Sequence, residues 1–254
     1  MSITSGVSRR ERVRAATLEE IKATARRLLV ERGPHNVTLR AIAREMGMTA
    51  PGLYRYVPSH EDLVTLLVAD LYDELTAWLV RAAGEVGTDS AAARLTVLVR
   101  AFRGWAVQHP AEFGLIFGSP MPQAVDESNP KHAAGMRFGA VFITAFFGLW
   151  RERPFPVPAD DELPEGLARQ FIAYRESLAE QIGPEVTQIP LGAFNAFLEC
   201  WAQLYGVVAL EAFNHLHFCL DDVTPFFEVF TARMAAAIGI DQPLPAPPGD
   251  AAQT

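Results

Sequence analysis

The fold of this chain is decided by residues 38–57, which read TLRAIAREMGMTAPGLYRYV. Thr38 is suited to cap a short helix whose apolar residues recur at helical spacing, and Gly47 is suited to the left-handed conformation that ends such a helix. Thr49 can cap a second short helix, which Leu53 anchors on the first. The spacing predicts a helix-turn-helix, whose second helix offers its N-terminal end to the major groove of DNA. Two short helices that merely pack in an all-α core are the alternative.

Charge is distributed unevenly along the 254 residues, whose formal net charge is −8. Residues 1–60 contain eleven Lys and Arg against five Asp and Glu, a net charge of +6. Residues 61–254 contain eleven against twenty-five, a net charge of −14. A basic segment joined to an acidic remainder is typical of a small nucleic-acid-binding domain fused to a domain with another task, because only the contacting face has to neutralise phosphates. Solvated charge on helical surfaces is the alternative.

The apolar pattern predicts an all-α fold, because apolar residues recur with a period near 3.6 and show no sustained alternation of period two. The first helix is expected to begin at Thr17, where a capping box precedes an apolar face, and to stop at Gly33-Pro34. A long amphipathic helix is expected from about Glu61 to an end near Gly84–Gly87. Proline and glycine breaks delimit further helices at about 90–108, 110–117, 131–150, 165–182, 190–219 and 223–239.

Composition divides the chain into four expected segments: a basic flexible arm at 1–16, a helix-turn-helix domain at 17–64, a larger helical domain at 65–240 and a proline-rich disordered tail at 241–254. The N-terminus lacks the apolar region of a secretory signal. Runs without a charged residue reach only 13 residues, too short to span a bilayer core of about 30 Å. We therefore expect a cytoplasmic protein that does not bind a membrane, with Cys200 and Cys219 as free, buried thiols.

Residues 47–63, GMTAPGLYRYVPSHEDL, closely resemble the signature of the DNA-binding domain of TetR-family transcriptional regulators, and the resemblance spans about 17–64. It implies that Arg40 contacts a base or a phosphate and that Gly52 allows close approach to DNA. His60 stands where the family usually has a lysine that contacts phosphate, so we expect a weaker anchor there, supported by the helix cap at Ser59. The expected DNA-binding residues are Thr38, Arg40, Thr49, Ala50, Pro51, Gly52, Tyr54, Arg55, Tyr56 and His60.

The resemblance also implies a helical C-terminal domain that binds a small effector and dimerises through its last two long helices. Between Pro190 and Leu220 only Glu199 and Glu211 are charged, and apolar residues lie on all sides of the predicted helix, so this helix needs burial on two faces. A homodimer supplies the second face, and a central core helix in a monomer is the alternative. The expected interface residues are Phe197, Leu204, Phe226, Phe227, Phe230 and Met234.

Aromatic residues recur along the remaining helices and predict an apolar cavity for a small hydrophobic or aromatic effector. Residues 105–118 resemble the WHG type of C-terminal domain in this family. For each aromatic residue, ordinary core packing is the alternative. The expected effector-binding residues are Phe102, Trp105, His109, Phe113, Phe117, Phe142, Phe146, Trp150, Phe171, Tyr174 and Trp201.

Catalytic and metal sites are not indicated. His215 and His217 are two residues apart, which turns their side chains away from each other on a helix, and the sequence has neither a phosphate-binding glycine loop nor an HExxH motif. We therefore expect no cofactor, no metal and no enzymatic activity. The chain is interpreted as a one-component repressor that binds a pseudo-palindromic double-stranded DNA operator as a homodimer and is released by its effector. The alternatives are a small-molecule-binding or sequestering protein with a degenerate DNA-binding head and, less well supported, an α-helical enzyme.

Overall fold

The computed structural model describes residues 8–85, 90–118, 126 and 128–240. Regular structure within these ranges is entirely helical, which confirms the predicted all-α fold. Short 3-10 helices occupy Pro34–Asn36 and Pro184–Gln188. The expected tail at 241–254 and the first seven residues of the expected arm lie outside the described residues. In chain order the α-helices are α1 (Arg9–Arg32), α2 (Leu39–Glu45), α3 (Ala50–Tyr54), α4 (His60–Glu85), α5 (Ala91–Gln108), α6 (Pro110–Phe117), α7 (Pro130–Glu152), α8 (Glu165–Ile182), α9 (Leu191–Ala212) and α10 (Thr224–Ala237).

Helix α1 begins at Arg9 and not at Thr17, so the described part of the expected flexible arm is helical. Ser8 forms the capping box: its backbone N–H donates to the Glu11 carboxylate at 2.8 Å, and its hydroxyl accepts from the Glu11 N–H at 3.2 Å. The Thr17 hydroxyl instead donates to the carbonyl of Val13 inside the helix. Apolar periodicity missed these two turns because both are exposed and bury no side chain.

The chain forms two compact units. Unit 1 comprises Met1–Thr76 and Gln108–Phe138, and unit 2 comprises Ala77–Val107 and Gly139–Thr254. This division differs from the boundary expected at 64/65, because α6 packs with the N-terminal helices. Local sequence carries no sign of this packing, since it joins residues that are far apart in the chain.

Arg26 of α1 connects three helices of unit 1. Its guanidinium donates to both carboxylate oxygens of Glu74 on α4, at 2.5 and 3.0 Å, and its Nε donates to Glu112 on α6 at 3.1 Å. Glu112 is buried, with 4% of its surface exposed, so its charge needs this partner. Arg26 therefore fixes α6 and α4 on α1.

The core of unit 1 is formed by apolar side chains from α1 to α4. Ile21, Leu28, Ile42, Leu53 and Leu63 are all completely buried. Each such side chain contributes about 1.5–3 kcal/mol when it is removed from water. This core supports α2 and α3, which carry the predicted DNA-binding residues.

Unit 2 contains a cluster of aromatic rings from α5, α7 and α9. Phe102, Phe142 and Trp201 contact one another with centroid separations of 5.9, 5.6 and 5.7 Å. The Trp78 indole N–H donates to the carbonyl of Ala101 at 3.0 Å and so connects the C-terminal half of α4 with α5. Such ring pairs add about 0.5–1.5 kcal/mol beyond the burial of their area.

Two arginines of α5 hold the last two long helices in unit 2. Arg103 donates from Nε and Nη2 to the two carboxylate oxygens of Glu211 on α9, both at 2.6 Å. Arg100 donates from Nε to Glu228 on α10 at 2.9 Å, and from Nη2 to the second oxygen of the same carboxylate. Bidentate arginine–carboxylate pairs fix orientation as well as distance. Helix α5 therefore sets the positions of both α9 and α10.

Helix α9 ends at Ala212, seven residues before the end predicted for it. Asn214 has a φ of +59°, the left-handed conformation that asparagine tolerates better than most residues. The N–H of His215 then bonds back to the carbonyl of Leu210 at 2.7 Å. Apolar residues continue beyond this point in the sequence, so periodicity alone overran the end of the helix.

Two described helices, α7 and α9, are long and apolar enough to cross a membrane when judged by length and composition alone. Within the tested windows, 44% of the α7 residues and 28% of the α9 residues are buried inside the chain. Core helices of water-soluble proteins pass the same test, so these two helices are weak evidence for a membrane span.

Candidate nucleic-acid interface

Helices α2 and α3 form the predicted helix-turn-helix in unit 1. The Thr38 hydroxyl accepts from the N–H of Ala41 at 3.2 Å and caps α2, and the Thr49 hydroxyl accepts from the N–H of Gly52 at 3.3 Å and caps α3. Gly47 between them has a φ of +64°, as its position at the end of the first helix requires. Both caps and the left-handed glycine occur where the sequence predicted them.

The exposed face of α3 carries most of the side chains expected to contact DNA. Thr49, Pro51 and Arg55 are exposed, and Tyr54 has 45% of its surface exposed. Ala50 is half-buried. Arg40 on α2 is also exposed, and it forms no ion pair with the residues that the structure describes. The motif therefore presents hydroxyl, aromatic and cationic groups outward from a rigid apolar base.

Gly52, which was expected to allow close approach to DNA, does not lie on this exposed face. The residue is buried, and a Cβ added to it would lie 3.1 Å from the Thr49 hydroxyl oxygen and 3.9 Å from the Met48 methyl carbon. Its small size therefore makes room for the N-cap of its own helix. Sequence reasoning could not separate these roles, because both require a residue without a side chain.

His60 is the first residue of α4 and is held by the segment that precedes α2. Its Nε2 lies 2.8 Å from the carbonyl oxygen of Val37. A carbonyl only accepts, so this nitrogen carries a proton and donates. Ser59 caps the helix as expected, since its hydroxyl accepts from the N–H of Asp62 at 3.0 Å. The imidazole is thus engaged within the protein, unlike a lysine that is free to reach a phosphate.

Arg14 contacts the C-terminal end of α3, which sequence reasoning missed. Its Nη1 donates to the carbonyl of Arg55 at 3.2 Å, and its guanidinium lies 5.4 Å from the centroid of the Tyr56 ring. Tyr56 itself is half-buried. The only sequence signal for this contact was the repetition of arginine between residues 9 and 14.

Lys22 adds a further connection between α1 and α4. Its ammonium group lies 2.6 Å from the Asp70 carboxylate and 2.8 Å from that of Glu19. Burial by itself would lower the pKa of Lys22, but hydrogen bonds and charge attraction from these two carboxylates outweigh it, so the pKa lies above its ordinary value. The base of the helix-turn-helix is thus held by ion pairs as well as by its core.

A narrow apolar groove lies in unit 2 among α5, α7, α9 and α10. Its open volume is about 30 Å³, against the roughly 300–1,000 Å³ of a typical ligand pocket. Side chains therefore nearly fill it in this conformation. Its lining residues are Leu95, Val99, Phe142, Phe146, Phe197, Cys200, Trp201, Leu204, Met234 and Ile238.

Three of the expected effector-binding residues line this groove: Phe142, Phe146 and Trp201. Phe102 packs against two of their rings but is completely buried. Trp105 is also buried, with 1% of its surface exposed. These two large side chains belong to the core behind the groove.

The other expected effector-binding residues lie elsewhere. The Trp150 ring packs on Phe155, and Phe171 and Tyr174 pack on Phe194. His109, Phe113 and Phe117 belong to unit 1. Within unit 2 these rings are continuous with the groove, because Phe155 packs on Phe146 and Phe194 is connected to Phe146 through Phe147. Aromatic periodicity identifies buried faces without showing which faces meet.

Three of the residues expected at the dimer interface are buried within the single chain. Phe227 is completely buried beneath the Arg103 guanidinium, and Leu204 and Met234 have 3% and 8% of their surfaces exposed. These three side chains are covered within one chain and are not available to a partner. Phe197 is half-buried at the groove.

Exposed apolar side chains remain on α9 and α10. Phe226, whose exposed fraction is 44%, stacks on the half-buried Phe230 with a centroid separation of 6.2 Å. Leu198 and Leu210 on α9 are 48% and 43% exposed, and Val229 on α10 is 55% exposed. These side chains are exposed to solvent in the single chain.

The two cysteines differ in environment. Burial raises the pKa of Cys200 to about 11, with a smaller contribution from the charge of Glu199. Cys219 is exposed, so the expectation that it is buried was wrong. Both thiols are free.

Two family models match the chain. The model for bacterial regulatory proteins of the tetR family matches residues 21–67, and the model for the tetracyclin repressor-like C-terminal domain matches residues 95–234. HTH-type transcriptional regulators of Mycobacterium tuberculosis and Mycobacterium bovis are 30% identical to the chain over 243 residues, which is 94% of this chain and 98% of theirs.

Solved structures share the fold. The crystal structure of the regulatory protein SCO4313 is 27% identical, with a TM-score of 0.63 over 89% of this chain and 98% of its own. RolR, solved with resorcinol, is 16% identical, with a TM-score of 0.55 over 92% of this chain and 98% of its own, and so shows the common fold alone. Together with the helix-turn-helix geometry, these matches show that the chain belongs to the TetR family of DNA-binding transcriptional regulators.

Proposed function

We propose that the chain is a repressor that binds a pseudo-palindromic operator as a homodimer and is released by a small hydrophobic effector. The observation that carries this proposal is the exposed face of α3, with Arg40 beside it, on a fully packed base. Proteins of this kind read base edges from the N-terminal end of the second helix. We propose that the protein acts in the cytoplasm without a membrane, a cofactor or a catalytic step.

Dimerisation is supported by the exposed apolar side chains of α9 and α10, among them Leu198, Leu210, Phe226 and Val229. A two-fold interface buries the same surface on both copies. Binding to a pseudo-palindromic operator requires a dimer that holds two α3 helices about 34 Å apart or at a multiple of that distance. A monomer has only one α3 helix for DNA and leaves these apolar side chains exposed to water.

Effector binding is supported by the groove, which is lined by apolar side chains and the Cys200 thiol. An uncharged hydrophobic molecule suits this lining, because a buried charge would find no partner there. The open volume of about 30 Å³ requires that the groove widen around any such molecule. Because α9 and α10 line the groove and carry the proposed interface, we propose that widening is transmitted to the dimer through these two helices.

Coupling to DNA follows from linkage. An effector that weakens operator binding by some factor must itself bind the DNA-bound form more weakly by the same factor. We propose that α4, whose residues belong to both units, carries this coupling, since Trp78 connects it to α5 beside the groove.

A second candidate function is a sequestering protein that no longer reads DNA, which the engagement of His60 by Val37 favours. One experiment separates the two: selection of duplexes bound by the full chain from a random-sequence pool. The repressor proposal predicts enrichment of a motif with two related half-sites whose centres are one or more helical turns apart. A pool that stays unenriched while the protein is folded and dimeric contradicts it and favours sequestration.

A further inference from the structure

We propose that Arg9, Arg10 and Arg12, termed here the α1 arginines, form a second DNA contact on phosphates that flank the bases read by α3. The inference rests on the proposed operator binding and adds to it a contact outside the helix-turn-helix. The family model begins its match at residue 21, so this segment lies outside the region that the match covers.

The segment that carries the α1 arginines is ordered before DNA arrives. Ser8 and Glu11 exchange hydrogen bonds of 2.8 and 3.2 Å in a complete capping box, and α1 runs without a break from Arg9. A preformed helix loses little further conformational freedom on binding. The arginines are therefore presented from a fixed scaffold.

Arg14 holds the N-terminal end of α1 beside α3. It donates to the carbonyl of Arg55 at 3.2 Å and lies over the Tyr56 ring, and both residues follow directly after α3. Arg10 is four residues before Arg14, so it lies on the same face of α1 about 6 Å further along the axis. The N-terminal end of α1 therefore extends beyond its contact with the end of α3, and Arg10 provides a positive charge on the same face as Arg14.

The α1 arginines are available to an external anion. All three are exposed, and none forms an ion pair with any residue in the described ranges. The nearest acid in the sequence, Glu11, already accepts a hydrogen bond from the backbone of Ser8. Four arginines against this single glutamate give residues 8–14 a net charge of +3.

The position of these charges is unfavourable for the isolated helix. The N-terminal end of a helix carries the positive end of its dipole and disfavours nearby cations, and like charges four residues apart, as at Arg10 and Arg14, repel each other. Neither charge pattern stabilises the free chain. A row of phosphates offsets both costs, because the guanidinium group forms paired, charge-assisted hydrogen bonds with phosphate oxygens.

The test compares the full-length triple variant Arg9→Ala, Arg10→Ala and Arg12→Ala with the unmodified chain. The probe is a duplex selected by the unmodified chain from random sequence, used at full length and in a form trimmed of its flanks. We expect the variant to bind the full-length duplex about tenfold more weakly at low salt. The slope of log K against log salt should become shallower by about one for each phosphate that the variant no longer neutralises. Trimming the flanks should weaken the unmodified chain and leave the variant unchanged.

The matched control removes three exposed arginines from unit 2: Arg81→Ala, Arg151→Ala and Arg169→Ala. The control should keep the salt slope and the sensitivity to trimming, since it makes the same change in net charge elsewhere. A triple variant that behaves like this control overturns the inference.

Thermal unfolding gives a second readout, because removal of the repelling charges should leave Tm unchanged or raise it. A fall in Tm with an unchanged salt slope indicates a structural role and also overturns the inference. If no duplex is selected at all, the proposed function fails, and this inference fails with it.

Discussion

The Nε2 atom of His60 donates to the carbonyl oxygen of Val37 over 2.8 Å and so ties the start of α4 to the segment before α2. The family's usual lysine at this position contacts phosphate, whereas here the side chain forms a contact within the protein. We therefore expect His60 to contribute less to phosphate binding than a lysine at this position would.

His60→Lys should consequently strengthen DNA binding. We expect tighter binding at low salt and a steeper salt dependence, by about one in slope for each additional phosphate that the variant neutralises. Loss of the Val37 hydrogen bond should lower the free energy of unfolding by about 0.5–1.5 kcal/mol. Titration of the selected duplex at several salt concentrations measures the first effect. His217→Lys, which adds the same charge at an exposed site in unit 2, is the control, and equal effects of the two changes would contradict the assignment.

Arg40→Ala should weaken operator binding while helix content and Tm stay within error, because Arg40 is exposed and forms no ion pair within the described residues. A base contact is worth about 1–3 kcal/mol, or roughly five- to 150-fold in affinity. The control Arg151→Ala removes an exposed arginine from unit 2. Gel-shift affinities that match for the two variants would remove Arg40 from the interface.

Val229→Glu should disrupt the homodimer, since Val229 is 55% exposed on the apolar surface of α10. Two copies of a new carboxylate in a two-fold interface repel each other and must lose water. Val80→Glu makes the same change at a side chain that is also 55% exposed, on α4. Sedimentation should show a monomer for the first variant and a dimer for the second. A dimer in both cases would place the interface elsewhere.

Cys200 should resist alkylation at neutral pH. Burial raises its pKa to about 11, and only the thiolate reacts, so the reactive fraction stays small until the pH approaches that value. Cys219 is exposed and serves as the internal reference. Iodoacetamide treatment of the folded chain at pH 8, followed by mass spectrometry, should label Cys219 well before Cys200, and the difference should shrink as the pH rises toward 11. Equal labelling at pH 8 would show that the groove is open to solvent.

The sequence predicted the elements that depend on local chemistry. The caps at Thr38 and Thr49 and the left-handed Gly47 occur where turn and capping rules place them. Each of these features is determined by a few neighbouring residues, and a single sequence contains that information in full.

Long-range packing could not be predicted in the same way. Phe227 reads as one more apolar residue of an outward face, yet it lies beneath Arg103, far away in the sequence. Phe113 and Phe142 both fit an aromatic cavity, but the first packs in unit 1 and the second at the groove of unit 2. The sequence periodicity shows which side of a helix is buried and does not show its partner.

In the proposed complex, α3 enters the major groove in each half of a two-fold site. Methylation interference on the selected duplex tests it most directly, because methylated guanine N7 projects into the major groove. We expect interference at guanines in two symmetric half-sites, with centres about 10–10.5 base pairs apart or at a multiple of that spacing. Binding that is unaffected by guanine N7 methylation in both half-sites would contradict it.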